Sequence, residues 1–216
     1  MNDLQYLISG ALSLSVCIYV LTKRSKTLAL KFLFLFGLVV SVWEFSSLFS
    51  RIYPDITIAI LSFKIAILTS HLGFPLYLLT VLNIQRKRDR KTILLVLIPV
   101  MIQVAIMSHN YFTNYELFKT EYGWSYRIVS FSPQIIITSI IFLGYLFGIF
   151  IVLLNLIKKT RFPLLRKKYI ILLVSFLAFQ AVGTTLTNAL IALDLLDPIF
   201  RIGGILQFLT FLSIWY

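Results

Sequence analysis

Seven long apolar runs, at about residues 4–21, 28–49, 57–82, 92–108, 133–157, 169–193 and 199–216, leave this chain few ways to fold. A hydrocarbon core about 30 Å thick is crossed by about 20 helical residues, and the runs are close to that length. Inside lipid every peptide group must find its partner within the spanning structure, which leaves helices and closed barrels. The runs lack the alternation of a lipid-facing strand, so they read as helices. Of all residues, 59% are hydrophobic and the mean hydropathy is +0.93, against about 45–50% apolar in soluble domains. A soluble domain of 216 residues has too little interior to hide that excess. The expected fold is all-α: a polytopic membrane protein in which residues 1–216 form a single seven-transmembrane-helix bundle.

The loops give the orientation. Lys23, Arg24 and Lys26 follow the first run, and Arg86, Lys87, Arg88, Arg90 and Lys91 follow the third. Lys158, Lys159, Arg161, Arg166, Lys167 and Lys168 follow the fifth. The opposite side holds Arg51, Lys119, Arg127 and Arg201 with most of the acids (Asp3, Asp55, Glu116, Glu121, Asp194 and Asp197). Basic loops stay in the cytoplasm, so the amino terminus is expected outside and the carboxyl terminus cytoplasmic. The net charge of +12 therefore reports topology, and no nucleic-acid partner is expected. The lipid bilayer is the expected partner. The first run lacks a positive leader and a small-residue cleavage site, so it reads as a retained helix. A single cysteine, Cys17, excludes an internal disulfide and a cysteine-based zinc site. No cofactor or metal is expected.

The longest connection, at about 109–132, is crowded with Tyr111, Phe112, Tyr115, Phe118, Tyr122, Trp124, Tyr126 and Phe131. Two readings stay open. One is an interfacial aromatic belt; the other is an ordered cap, with Tyr122-Gly123-Trp124 turning a short hairpin over the helices.

Polar groups within spans are costly and usually face the protein interior, so they mark candidate sites. Glu44 in the second run and Lys64 in the third lie about 10 and about 13 Å below the outer loop, at 1.5 Å per residue. An interhelical ion pair is geometrically reasonable. Gly37, Ser41, Glu44, Ser47 and Arg51 share one side of the second helix, while Lys64 and His71 share a face of the third, with Pro75 a turn further on. The pair reads either as a structural clamp or as a ligand-binding or proton-linked site. His71 reads either as a satisfied interior histidine or as a pH-sensitive group. The sixth run carries Gln180, Thr184, Thr187 and Asn188 within an arc of about 100°. The seventh carries Gln207, Thr210 and Ser213, and the fifth opens with Gln134 and Thr138. These read as interhelical hydrogen bonds or as walls of a cavity open to the outside, and their bias to the outer half favours the cavity. The candidate ligand-binding residues are thus Glu44, Lys64, His71, Thr184, Asn188 and Gln207. Gly144 and Gly148, a small-xxx-small pair, are expected to let the fifth helix pack closely.

Catalytic patterns are missing from the sequence. It has two histidines, His71 and His109, and no H-E-x-x-H, G-x-S-x-G or phosphate-binding glycine loop. Intramembrane proteolysis wants paired acids in spans, where only Glu44 stands, and the seventh run has no lysine for a retinal Schiff base. Enzymatic activity is not expected of this chain.

Several local segments carry a resemblance. Trp43-Glu44-Phe45-Ser46-Ser47 ends the second helix, and Gly73-Phe74-Pro75 with Tyr77 lies in the inner half of the third. Tyr122-Gly123-Trp124 sits in the outer loop, Arg166-Lys167-Lys168 leads into the sixth helix, and Asp197-Pro198 opens the seventh. Together with the outside-in bundle and its short inner loops, these segments are similar to the amino-terminal seven-transmembrane sensor region of prokaryotic histidine kinases, over most of the chain. The resemblance implies a receptor-like module in a prokaryotic plasma membrane. Such a module perceives a small ligand or a membrane state and relays it to a cytoplasmic output domain or partner. A sensor of this kind normally feeds a kinase with a phosphoacceptor histidine and an ATP-binding domain, and neither is found within these 216 residues. The output is therefore expected beyond Tyr216 or in a separate cytoplasmic kinase.

Two other functions fit the same residues. A structural or accessory subunit of a membrane complex needs only packing surfaces, and the missing output domain favours it. A small-solute transporter on a three-plus-one-plus-three plan would use Ser132-Pro133-Gln134 at the start of the fifth helix, but the first helix has no matching pair. The sensor is the leading expectation.

Overall fold

The computed structural model describes residues 2–22, 27–84, 90–121 and 123–196. Within them, α1 (Asn2–Thr22), α2 (Leu28–Ile52), α3 (Ile56–Ile84), α4 (Arg90–Met107) and α5 (Pro133–Lys159) are each long and apolar enough to cross a membrane. They coincide closely with the first five apolar runs. The sixth run falls in a continuous helical stretch built of three pieces: α6 (Pro163–Ser175), a π-helix (Phe176–Leu186) and α7 (Thr187–Ala192). The run expected at 199–216, with Gln207, lies outside the described residues.

Local chemistry sets the helix starts. The Thr27 hydroxyl accepts the Leu30 N–H at 3.3 Å and caps α2. Ser132 does the same for Ile135 at 3.4 Å in α5, where Pro133 occupies a first-turn position that needs no N–H. At the start of α3, Asp55 Oδ1 accepts the Thr57 N–H at 2.7 Å.

The hub of the bundle is α3, which packs against α2, α4 and α5, with α1 on α2 and α6 on α5. The densest core lies at the basic-loop end. There the last turns of α1, α3 and α5 meet the first turns of α2, α4 and α6 around Phe36, Tyr77, Leu79, Ile149, Leu153 and Phe176, none more than 2% exposed. The outer surface is apolar instead of polar: Leu95 is 70% exposed, Met101 71% and Phe147 65%. Such a surface suits lipid and not water.

The close packing expected at Gly144 and Gly148 of α5 is loose among the described residues. A Cβ at Gly144 would meet nothing within 4 Å, and one at Gly148 would make only an ordinary contact with Leu78 of α3, at 3.8 Å. Gly10 of α1 is the tight position, since a Cβ there would meet the Phe45 ring at 3.1 Å and Glu44 Cβ at 3.3 Å.

Between α4 and α5 the chain forms an ordered cap. A 3-10 turn (Tyr111–Asn114) leads into β1 (Tyr115–Thr120), which pairs antiparallel with β2 (Gly123–Ile128), Tyr115 opposite Ile128 and Thr120 opposite Gly123. Gly123 has φ +99°, and a Cβ there would lie 2.5 Å from the Arg51 carbonyl oxygen. Only glycine lets this strand settle on the end of α2. Trp124 Nε1–H donates to the Tyr53 carbonyl at 3.0 Å, a second anchor to the same corner. The base of the cap is tied by buried Asn114, whose Nδ2 donates to the Tyr111 carbonyl (2.8 Å) and whose Oδ1 accepts from Ser130 (2.6 Å). The cap reading thus holds over the belt. Gly123 opens β2 instead of centring the turn, and Tyr122 lies outside the described residues.

Candidate functional site

Beneath the cap, residues of α2, α3, α5 and α7 surround a half-open cavity of about 350 Å³. Trp43 comes from α2, His71 from α3, Phe142 from α5 and Asn188 from α7, while Tyr115 and Tyr126 reach it from the hairpin. Pockets for small molecules run from about 300 to 1,000 Å³, so the space suits a small occupant. Among the described residues that line it there is no Asp, Glu, Lys or Arg.

One hydrogen bond in its wall has a fixed direction. His71 Nδ1 lies 2.9 Å from the Ile67 carbonyl, one turn back on α3. A carbonyl can only accept, so Nδ1 carries the proton. In the neutral ring Nε2, at the distal end, is then an acceptor. Phe142 packs on the ring with centroids 5.2 Å apart. The Tyr111 and Tyr115 hydroxyls are 2.8 Å apart, and Tyr111 interacts in turn with the Thr138 side chain of α5. Thr138 Oγ1 donates to the carbonyls of Gln134 and Ile135 (2.8 and 3.0 Å). The Tyr111–Tyr115 bond ties the 3-10 turn to the hairpin, and either hydroxyl can be its donor. Burial pushes both phenols above their ordinary range; for Tyr115 the neighbouring Tyr111 adds to the rise. Both stay neutral, and the Tyr115 oxygen is left with acceptor capacity. The Asn188 amide makes no hydrogen bond to another described residue.

Of the candidates read from the sequence, His71 and Asn188 are brought into this cavity. Glu44 and Lys64 are not, and they do not pair. Successive helical residues turn by about 100°: Trp43 reaches the cavity while Glu44 faces α1, fully buried, with Oε1 accepting from Ser9 Oγ at 3.0 Å. Lys64 is exposed, its Nζ 5.6 Å from the Phe112 ring centroid. The two side chains leave their helices on different sides, so similar depth does not bring them together. The polar side expected for α2 does exist, with Gly37, Ser41, Glu44 and Arg51 buried and Ser47 half-buried. Thr184 has no described side chain; its neighbour Thr185 lines the cavity. Gln207 lies outside the described residues.

Sequence reasoning missed Trp43 and the hairpin tyrosines as wall residues. A signal for the tyrosines was available. Leu117 pairs with Tyr126 and Tyr115 with Ile128, so alternation along two short strands places Tyr115 and Tyr126 on one face.

These features define a class: a multi-pass helical membrane protein in which a β-hairpin cap covers a cavity whose described lining carries no Asp, Glu, Lys or Arg. Over residues 5–214 the sequence matches the family model described as the N-terminal 7TM region of histidine kinase. The chain belongs to that family, and so is a membrane-embedded sensory region of the histidine-kinase type, which is not itself the catalytic part. No curated protein and no solved structure matches the chain.

Proposed function

We propose that the chain is the stimulus-receiving module of a histidine-kinase sensor in a prokaryotic plasma membrane, and that the cavity under the hairpin is where a small molecule is read. In this reading seven spans run from an outer amino terminus to a cytoplasmic carboxyl terminus, and the clustering of Lys and Arg in alternate loops supports an outer hairpin and inner basic loops. The observation that carries the reading is the make-up of the cavity wall. His71 stands on the central helix α3, and Asn188 stands on α7, directly after the π-helix. An occupant touching both favours one placement of α7 relative to α3, and differential contact of that kind is what shifts a two-state equilibrium. A π-helix of 11 residues is far longer than the usual single-turn bulge, which makes it the element with a second register available. From α7 the chain runs on toward the last apolar run, the route to the cytoplasmic side.

Filling the cavity tests this. Ala192 is a buried wall residue of α7, and Ala192→Phe should mimic or block an occupant. Phosphorylation in native membranes supplied with labelled ATP reads a kinase in cis or in trans alike. It should change severalfold; unchanged phosphorylation with a filled cavity would sink the reading. Orientation has its own test. Lys119→Cys on the hairpin should react with a membrane-impermeant thiol reagent from outside, and Lys159→Cys only after the membrane is opened. Cys17 is buried and gives little background.

A further inference from the structure

We infer that the cavity takes an uncharged, largely apolar molecule bearing a hydroxyl or similar hydrogen-bond donor, which it gives to His71 Nε2. The inference rests on the cavity being the receiving site and adds the chemistry of the occupant. Charge is the first constraint. With no Asp, Glu, Lys or Arg among the described wall residues, a carboxylate or ammonium would lose its hydration without gaining a counter-ion from them. The body of the occupant is set by Trp43, Phe74 and Phe142, aided by Ile67 and Leu143, with Phe74 edge-on to Phe142 at 4.5 Å. At about 30 Å³ for each water-sized group, a space of 350 Å³ holds roughly a dozen non-hydrogen atoms.

The polar end follows from where the wall's own hydrogens go. Ser70 Oγ and His71 Nδ1 both donate to the Ile67 carbonyl, at 2.7 and 2.9 Å. The Tyr115 hydroxyl is bonded to that of Tyr111 at 2.8 Å. The Ser70 and His71 hydrogens are committed, so His71 meets an occupant as an acceptor through Nε2, while Tyr115, Ser139 and Asn188 can answer either way. A ligand whose polar atoms only accept leaves His71 Nε2 dehydrated and unmatched. A hydroxyl satisfies it directly, and sites built for a hydroxyl discriminate strongly against its absence.

Trp43 in the wall supplies the readout. The full chain in nanodiscs of zwitterionic lipid is titrated with para-hexylphenol, para-hexylanisole (the same body with the donor capped) and para-hexylbenzoate (the same body, charged). The Trp43→Phe variant supplies the background of the other tryptophans and of partitioning into lipid. The phenol should give a saturable Trp43 signal at a concentration about tenfold below the anisole, and the benzoate should give none. His71→Phe should remove most of the phenol's advantage. Equal titrations for phenol and anisole overturn the donor requirement, and benzoate binding as tight as phenol overturns the exclusion of charge. Both results leave the cavity standing as a receiving site, because a ligand has saturated it. If none of the three moves the Trp43 signal saturably, the ligand class is wrong; the sensor reading then stands or falls on the Ala192→Phe phosphorylation measurement.

Discussion

The two ends of this bundle are built from the same kinds of helix and yet are packed by different means. At the basic-loop end, aliphatic side chains and a few rings form one buried cluster around Leu79, Ile149 and Leu153. At the hairpin end, Phe63 of α3 meets Tyr115 and Tyr126 at 5.6 and 4.7 Å, Asn114 ties the cap, and a cavity remains below. Dense packing leaves an interior few ways to rearrange. An interior held by rings, directed hydrogen bonds and empty space has alternatives close in energy. The difference fits the proposal in which the basic-loop end holds the bundle together and the hairpin end receives a small molecule.

The largest expected effect breaks the holding end. Leu153→Ala removes a fully buried side chain from the dense core and should cost about 2–5 kcal/mol. Thermal unfolding in detergent should show it as a drop of many degrees, with the hairpin still docked in the remaining folded protein. A variant as stable as the wild type would mean that this end is not the clamp.

Next is the cap. Gly123→Ala puts an L side chain at φ +99° and a Cβ 2.5 Å from the Arg51 carbonyl oxygen. It should cost about 2 kcal/mol or more, but locally. External protease should cut the hairpin while circular dichroism keeps the helix signal of the wild type. Loss of helix in parallel with the cap would erase the distinction between the two ends.

How much of this was legible in the sequence depends on the kind of information each feature needs. The first five spans were readable because length and hydropathy alone decide them. The polar side of α2 was readable because period fixes a face within one helix. The pairing of Glu44 with Lys64 was not, because depth along two helices says nothing about how each is rotated toward the other. The π-helix left no mark either: shifting a hydrogen bond from i−4 to i−5 changes no composition, and Phe176–Leu186 reads like any apolar helix. Gly144 and Gly148 show the same limit, since a small-xxx-small pair names a face without saying what comes to meet it.

The last two predictions make the same chemical change at both ends and expect different signs. Tyr115→Phe removes the hydroxyl bonded to that of Tyr111 at 2.8 Å, leaving the Tyr111 hydroxyl without that partner. The cost should be about 1 kcal/mol, seen as earlier loss of protease protection in the hairpin. Tyr77→Phe removes a buried hydroxyl with no hydrogen-bond partner among the described residues, from a ring packed 5.5 Å from both Phe36 and Phe176. A buried polar group without a partner destabilises the fold that holds it, and removing it leaves the ring contacts intact. Stability should be unchanged or rise by up to about 1 kcal/mol. If Tyr77→Phe instead lowers the unfolding temperature as much as Tyr115→Phe does, the hydroxyl at the holding end has a partner after all. The basic-loop core would then be a polar, adjustable interior like the one beneath the cap, and the division between a clamp and a receiver would have to be withdrawn.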